Sequence, residues 1–288
     1  MLQNATRIQL PSPAPTFLQI LFADQFSLPG ALAQVNTTIW PAFYASLIYV
    51  VVIFSIKAFM AGRKPYELTR PLNLWNGWLA VFSTLGAIVT GRGLLAEIAE
   101  NGVVHSYCKF DDNSFFLGSS GFWVWIFSLS KLAELGDTLF VVLRKKPLMF
   151  LHWYHHVLTL NYALISFVAG TGFNSWITWL NLAVHSVMYG YYTLRSLGVK
   201  IPAALAQSIT SAQILQFLIT LVILIHVGVR NYVLGSSTPC DVTPSMYLLC
   251  LGMELSYIAL FGNFFYQSYV KGGGKKYNAE KKAPKKIE

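Results

Sequence analysis

Charged residues are scarce in this sequence: Asp, Glu, Lys and Arg together make up only 11% of its 288 residues. A typical soluble domain contains about 25%. Apolar residues account for 55% of the chain, which leaves too few polar residues to cover the surface of a soluble fold. The composition therefore argues against a soluble protein. It predicts an all-α integral membrane protein with short loops and one compact domain.

The sequence also lacks a recognisable cleavable signal peptide. Its first 38 residues contain four prolines, and they have neither the basic start nor the unbroken apolar core of such a segment. We therefore expect the first membrane span to direct insertion of the chain. No internal repeat is visible in the sequence, so we expect one domain rather than a repeat array.

Seven apolar runs approach the roughly 20 residues that cross a bilayer as a helix. They predict seven transmembrane helices, of which the fourth is the shortest because it begins with histidines. The runs cover 39–60, 72–91, 122–143, 151–169, 176–197, 203–229 and 246–270. The chain thus divides into an N-terminal segment (1–38), a seven-span membrane domain (39–270) and a basic tail (271–288).

The basic residues are unevenly distributed between the two sides of the predicted membrane. Of the 21 Lys and Arg residues, 15 lie in the tail and in the loops after spans one, three and five, whereas four lie on the other side. The positive-inside rule places the tail and these loops in the cytosol. Because the number of spans is odd, the N-terminal segment is then lumenal. We interpret the net charge of +9 as topogenic charge and a solvated tail, not as a nucleic-acid site.

Short signals on the lumenal side agree with this topology. Asn4 and Asn36 each begin an N-x-Thr glycosylation pattern. Cys108 and Cys240 lie in predicted lumenal loops, where disulfides persist. We predict a bridge between them, with two free thiols as the alternative. Cys250 lies within span seven and is expected to be a small core residue.

The C-terminus carries a signal for the opposite side. Its last residues, Lys285-Lys286-Ile287-Glu288, resemble the dilysine retrieval signal of endoplasmic reticulum membrane proteins. Such a signal must be both C-terminal and cytosolic, and the predicted topology satisfies both conditions. We therefore expect a multi-pass protein of the endoplasmic reticulum membrane.

Span three contains ionisable residues, which are costly inside a membrane and usually face a cavity or a partner. Lys131, Glu134, Asp137 and Thr138 are spaced by three and four residues, so they share one stripe of a helix. Lys131 and Glu134 are close enough in the chain to pair. We favour a functional role, with a buried ion network that locks helices together as the alternative.

Span four begins with three histidines. His152, His155 and His156 fall on one side of a helix because they too are spaced by three and four residues. A single buried histidine is usually a core residue, but three within five residues are difficult to explain by packing. We interpret this cluster as a catalytic site.

Spans five and six carry further polar stripes, which predict substrate contacts or interhelical hydrogen bonds. Their members are Asn181, His185, Met188, Tyr189 and Tyr192 in span five, and Thr210, Gln213, Gln216 and Thr220 in span six. Glu254 is a lone acid in span seven. We expect these stripes to converge on one interior cavity. That much buried titratable chemistry indicates an enzyme.

Together these residues resemble the four motifs of the ELO family, the very-long-chain fatty acid elongases of the endoplasmic reticulum. The motifs occur in the family's order as Lys131-x-x-Glu134-x-x-Asp137-Thr138, His152-x-x-His155-His156, Asn181-x-x-x-His185-x-x-Met188-Tyr189-x-Tyr191-Tyr192 and Thr210-x-x-Gln213-x-x-Gln216-Phe217. The resemblance implies an acyltransferase, the very-long-chain 3-oxoacyl-CoA synthase. It would join an acyl-CoA with malonyl-CoA to give 3-oxoacyl-CoA, CO2 and CoA.

The resemblance also implies an architecture and partners. The family has seven helices, six of which surround an acyl tunnel. No cofactor is expected besides the substrates acyl-CoA and malonyl-CoA, and membrane lipid surrounds the protein. A ketoacyl reductase, a dehydratase and an enoyl reductase complete the elongation cycle, and a homo-oligomer is left open.

Histidine is the group best suited to the acyl transfer, because it acts as a nucleophile or a base at neutral pH. Cys108 and Cys240 are predicted to be lumenal, and Cys250 lies apart from the motifs, so a thiol route is disfavoured. We hypothesise that His155 takes the acyl group as an acyl-imidazole. His185, oriented by Asn181, would act as an acid, a base or an oxyanion donor.

The remaining motif residues are assigned supporting roles. His152 and His156 would position or polarise the thioester, and Asp137 and Glu134 would fix the tautomers of imidazoles. Substrate contacts are expected from Lys131, Thr138, Tyr189, Tyr192, Gln213 and Gln216. Arg144, Lys145 and Lys146 precede the histidine span and would meet CoA phosphates by charge, with topogenic charge as the alternative.

Two other classes of protein share part of this pattern. Membrane di-iron desaturases and hydroxylases also contain His-x-x-His-His, but their centres need roughly eight histidines, and this chain has six. One mononuclear metal is left open, although we assign no metal ligand. A seven-span transporter or receptor would also fit the topology, and the titratable stripes would then form an ion path.

The histidine motif contains one further indication of substrate preference. Its inner pair, Trp153-Tyr154, resembles the subgroup that acts on saturated and monounsaturated chains. The polyunsaturated subgroup more often has valine at the first of these positions.

Overall fold

The computed structural model describes residues 14–271, and these residues fold into helices without any β-strand. The helices are α1 (Phe17–Leu21), α2 (Leu28–Phe59), α3 (Thr69–Asn101), α4 (Val103–Cys108), α5 (Gly118–Glu134), α6 (Gly136–Leu143), α7 (Phe150–Val168), α8 (Asn174–Ser196), α9 (Ala203–Gly228) and α10 (Pro244–Phe265). A 3-10 turn (Ser114–Phe116) precedes α5, and α9 and α10 continue as π-helical turns at Val229–Val233 and Tyr266–Lys271. Asn4, Lys285 and Lys286 lie outside the described residues.

The long helices occupy the positions of the seven predicted spans, with α5 and α6 forming one rod. Four segments of the described chain are long and apolar enough to cross a membrane: Leu28–Phe59, Thr69–Asn101, Ala203–Val233 and Pro244–Lys271. The α5–α6 rod is interrupted at Leu135, and α7 and α8 carry the histidines of the motifs together with Asn181. The all-helical membrane architecture is therefore confirmed, while the count of seven spans stays a prediction.

The first two long helices extend beyond the apolar runs that predicted them. Helix α2 begins at Leu28 because the Ser27 hydroxyl accepts a hydrogen bond from the Gly30 amide (3.3 Å) and a proline occupies the first turn. Hydropathy does not reveal this start, since Gln34 and Asn36 interrupt the apolar pattern there. Asn36 is exposed on α2, and its glycosylation stays a prediction.

One end of the bundle is fastened by a disulfide between Cys108 and Cys240, the pair selected from the sequence. Next to it, the Asp241 amide donates to the Cys108 carbonyl (2.6 Å), and the Gly172 amide donates to the Asp241 carbonyl (2.9 Å). Three connections between helices are thereby joined. We call this the disulfide end, and we call the opposite end, where α7 begins and α8 finishes, the basic end. Cys250 is a free, buried thiol within α10.

The two larger apolar clusters of the described residues lie between the helices. One packs Val35 of α2, Trp125 of α5 and Leu160 of α7 against one another. The other, near the disulfide end, groups Phe217 and Leu224 of α9 with residues of α7 and α10. Because the apolar contacts of α7 are made along its length, its three histidines are held at the basic end of a firmly packed helix.

Candidate active site

A cavity of about 630 Å³ occupies the basic half of the bundle. Its walls come from α3, the α5–α6 rod, α7, α8, α9 and α10, so six of the seven rods surround it and α2 stays outside. The predicted site residues that line it are Asp137, Arg144, Lys146, His152, His155, His156, Asn181, His185, Met188, Tyr189, Tyr192, Thr210, Gln213 and Gln216. The predicted convergence of polar stripes from four spans is therefore observed.

The three histidines of α7 form a compact group at the wall of this cavity. The ring of His156 lies 4.7 Å from that of His152 and 5.6 Å from that of His155, measured between centroids. The His155 ring packs on Tyr257 of α10 at 5.0 Å. The Tyr257 hydroxyl also donates to the His155 carbonyl (3.3 Å) and bonds Thr159 (3.0 Å). The helix turn that carries His155 is thus held from a second helix.

The predicted pair Asn181 and His185 is present, and its partners define the tautomer of the imidazole. Lys131 Nζ donates to Asn181 Oδ1 (3.0 Å), which fixes the orientation of the amide. Asn181 Nδ2 then faces His185 Nε2 at 3.4 Å. Because an amide nitrogen only donates, Nε2 must accept, and the proton of a neutral His185 ring resides on Nδ1. His185 is thereby prepared to donate a hydrogen bond from Nδ1.

Lys131, Glu134 and Thr138 lie behind the cavity wall instead of lining it. Lys131 and Glu134 are 2% and 4% exposed and form the predicted pair, with Lys131 Nζ 2.7 Å from Glu134 Oε1. Thr138 is hydrogen-bonded to the Tyr49 hydroxyl at 2.6 Å. The structure therefore gives Lys131 and Thr138 protein partners where substrate contacts were expected. It gives Glu134 a lysine partner where an imidazole was expected.

Asp137 differs from the rest of its motif because it reaches the cavity. Its Oδ2 accepts from the Tyr189 hydroxyl (2.7 Å) and lies 4.0 Å from His156 Nε2. Its Oδ1 accepts from the indole nitrogen of Trp75 on α3. Of the two carboxylates expected to orient an imidazole, Asp137 is the one with an oxygen 4.0 Å from an imidazole nitrogen, whereas Glu134 is paired with Lys131.

The basic residues at the mouth of the cavity are not equivalent. Arg144 and Lys146 line it, whereas Lys145 turns away and donates to the carbonyls of Ala61 (2.9 Å) and Arg63 (3.0 Å). Arg195, at the end of α8, also lines the cavity and bonds the Tyr191 hydroxyl (3.1 Å). From the sequence, Arg195 was counted with Lys200 as topogenic charge after span five, and its position at the cavity was not predicted.

The two other histidines of the chain have structural partners away from the cavity. His105 Nδ1 lies 2.7 Å from Oε1 of the buried Glu97, and His226 Nδ1 lies 3.0 Å from the Tyr107 hydroxyl near the disulfide end. Across residues 14–271, no group of three His, Cys, Asp or Glu side chains is arranged to hold a metal ion. The cavity itself is lined by four imidazoles, those of His152, His155, His156 and His185, and by basic residues at its mouth.

Beyond the histidines, a second space of about 40 Å³ lies toward the disulfide end. His155, Asn181, Gln216 and Phe217 line both spaces. The carboxyl group of Glu254, the lone acid of span seven, borders the smaller one. Apolar side chains such as Phe127 and Met253 and polar ones such as Thr159 and Asn174 line it together.

This architecture defines a multi-pass membrane protein with a histidine-lined interior cavity, and comparison with known proteins identifies its family. The model of the "ELO: GNS1/SUR4 family" matches residues 34–277. The chain is 50% identical over 243 residues to "Long chain fatty acid elongase 1" of Caenorhabditis elegans, covering 84% of this chain and 82% of that protein. It is 38% identical over 259 residues to "Very long chain fatty acid elongase 6" of Mus musculus, covering 88% and 94%. The protein belongs to the ELO (GNS1/SUR4) family, as its four motifs predicted.

Proposed function

We propose that this protein catalyses the condensing step of fatty acid elongation as an acyltransferase. It joins a long-chain acyl-CoA with malonyl-CoA and releases CO2 and CoA, leaving a 3-oxoacyl-CoA. The observation that carries this function is the family match over residues 34–277, whose four motifs meet at one cavity. The match decides against the desaturase and the transporter or receptor as alternatives.

The mechanism begins at His155, which lies where the two interior spaces meet. An imidazole nitrogen attacks the thioester carbonyl, the C–S bond breaks, and the proton lost from the imidazole leaves with CoA as its thiol. Malonyl-CoA then enters and loses CO2, and the resulting enolate carbon attacks the acyl-imidazole. The C–N bond breaks, and the imidazole recovers a proton. The net reaction consumes one proton in each cycle.

The neighbouring residues support these steps by hydrogen bonding. The proton on Nδ1 of His185 makes this ring a donor to an oxyanion that develops on the carbonyl oxygen. His152 and His156 complete the wall beside His155 and position the thioester. The Asp137 carboxyl group, with Oδ2 4.0 Å from His156 Nε2, is beyond hydrogen-bond distance and favours one orientation of that ring electrostatically. No cofactor takes part in this scheme.

The basic mouth of the cavity suits the phosphates of CoA. Arg144 and Lys146, from the connection between α6 and α7, and Arg195, from the last turn of α8, all line this mouth. Guanidinium and ammonium groups form strong charge-assisted hydrogen bonds to phosphate. The acyl chain then points inward, past the histidines. We assign these three residues to CoA binding and withdraw Lys145 from that set.

Replacing Arg195 or Lys146 with glutamine is expected to raise the KM for malonyl-CoA about 10-fold with little change in kcat, since a lost charged hydrogen bond weakens binding by about this factor. Lys145→Gln is the matched control, because its ammonium group binds backbone carbonyls instead. Steady-state kinetics in microsomes compare the three variants. Equal KM values for all three would contradict the assignment.

The disulfide and the basic residues lie at opposite ends of the bundle, and this difference supports one orientation in the membrane. The disulfide joins Cys108 and Cys240 at the end of the bundle opposite to Arg144, Lys146 and Arg195. Disulfides persist in the lumen, whereas basic loops remain in the cytosol. This supports residence in the endoplasmic reticulum with a lumenal N-terminus and a cytosolic C-terminus. The other enzymes of the cycle would then act on the product from the cytosolic side.

Preference among acyl chains remains a prediction. The pair Trp153-Tyr154 suggested saturated and monounsaturated chains, but neither residue is among those that line the cavity. Trp153 packs on Phe54 and Phe150 (5.8 and 5.1 Å), and the Tyr154 hydroxyl donates to Ser256 (3.1 Å). If the pair has any effect on preference, it acts through the packing of α7 and not by contact.

The proposed function is tested with microsomes from cells that express the protein, supplied with radiolabelled malonyl-CoA and a panel of saturated and polyunsaturated acyl-CoA primers. Label should enter acyl chains two carbons longer than the primer, above the background of microsomes that lack the protein. Absence of incorporation with every primer, from protein shown to be present and folded, would overturn the function.

A further inference from the structure

The carboxylate of Asp137 is held by side chains from two other helices. Trp75 Nε1 of α3 donates to Oδ1, and the Tyr189 hydroxyl of α8 donates to Oδ2 at 2.7 Å. Helices α3 and α8 pack against each other, so the two donors share one rigid support. With both oxygens engaged, the carboxylate has one orientation, in which Oδ2 faces His156 Nε2 at 4.0 Å.

The approach of Trp75 to Asp137 depends on the glycine that precedes the aspartate. A Cβ atom at Gly136 would lie 2.9 Å from Cζ2 and 3.1 Å from Cη2 of the Trp75 indole. Both positions are ring atoms that belong to one rigid group, so the whole indole would have to move. A glycine at this position therefore allows the ring to lie over the first turn of α6 and reach the carboxylate.

We propose that Trp75 is a positioning residue for the condensation, acting through Asp137 on the orientation of His156. This inference rests on the proposed function and deepens it, since Trp75 lies outside the four motifs. Without the indole N–H, Oδ1 loses its hydrogen-bond donor. The carboxylate can then rotate, because only the hydrogen bond from the Tyr189 hydroxyl still holds it. Oδ2 then leaves its place opposite His156, and the fraction of correctly oriented imidazole falls.

The test uses Trp75→Phe, which removes the N–H donor and keeps an aromatic ring. We expect kcat to fall roughly 10-fold, as for other partners that orient a ligating or catalytic histidine, while the KM for both substrates stays unchanged. Trp78→Phe is the matched control. Trp78 lies one turn further along α3, packs on Trp75 at 5.7 Å and is half exposed, so its replacement should leave kcat unchanged.

A double-mutant cycle separates positioning from packing. If Trp75 acts through Asp137, then Trp75→Phe should cost nothing further in an Asp137→Asn background, because the carboxylate is already gone. A packing role would instead lower the amount of folded protein by the same factor in both backgrounds. Additive losses of kcat, measured per folded protein, would overturn the proposal.

The variant Gly136→Ala tests the position of the Trp75 indole without changing Trp75 itself. Alanine is a better helix former than glycine, so a loss of activity here cannot be attributed to a weakened α6. The added Cβ should displace the indole and reproduce the drop in kcat seen with Trp75→Phe. A Gly136→Ala enzyme with full kcat would contradict the inference. Malonyl-CoA-dependent elongation by the wild type in the same assay shows that the proposed function itself stands.

Discussion

Replacing His155 with alanine is expected to reduce elongation by at least about 10³-fold, since loss of a covalent nucleophile removes the main chemical route. The change should appear in kcat and not in the KM for either substrate. In the proposed mechanism His155 takes part in the chemistry, whereas the basic mouth that we assign to CoA binding is not altered by this substitution. The measurement is malonyl-CoA-dependent elongation per folded protein.

The wild type should also show the covalent half-reaction. Incubated with acyl-CoA alone, it should release up to one equivalent of CoA and retain the acyl chain, and His155→Ala should release none. Strict dependence of CoA release on the presence of malonyl-CoA would contradict the acyl-imidazole and favour a ternary complex.

Two controls make the result specific to His155. His226→Gln changes a histidine near the disulfide end, where it is bonded to Tyr107, and should leave elongation nearly unchanged. Tyr257→Phe removes the hydroxyl that holds the His155 carbonyl and should lower kcat moderately, because the nucleophile remains. If His155→Ala retains activity while His152→Ala or His156→Ala loses it, the nucleophile has been assigned to the wrong ring.

The sequence predicted the helical stripes well because the period of a helix is a local property. Spacings of three and four residues were enough to place His152, His155 and His156 together, and each of the four stripes contributes at least one residue to the cavity wall. Hydropathy likewise located the rods, although it missed the first turns of α2. A cap at Ser27 and a proline, rather than apolar residues, determine that start.

Some positions relative to the cavity could not be predicted from the sequence, because they depend on contacts between distant segments. The interruption at Leu135 separates Asp137, which reaches the cavity, from Lys131 and Glu134, which lie behind its wall. Trp75 lies 62 residues from Asp137 and, in an apolar span, is indistinguishable from a packing residue. Lys145 has a positive φ of 52° and donates to two carbonyls of the loop after α2. The spacing of residues along the chain does not reveal any of these contacts.

Breaking the buried ion pair of Lys131 and Glu134 is expected to lower the stability of the protein strongly. Lys131→Met should destabilise the protein by about 3–5 kcal/mol, because it leaves the Glu134 carboxylate buried without its cation. Thermal unfolding of the purified protein in detergent measures this loss. Lys57→Met is the control: Lys57 is exposed on α2, and its replacement should not change the unfolding temperature.

The double variant Lys131→Met with Glu134→Leu separates stability from activity. Apolar residues of similar volume often replace a buried ion pair without loss of stability, so the unfolding temperature should largely recover. Elongation should not recover, because Lys131 also donates to Asn181 Oδ1 at 3.0 Å. Without that donor the Asn181 amide can rotate by half a turn, so that its oxygen and nitrogen exchange places. Asn181 then no longer requires the proton of His185 to reside on Nδ1. A double variant that regains activity together with stability would show that the ion pair serves packing alone and that the tautomer of His185 is set by other contacts.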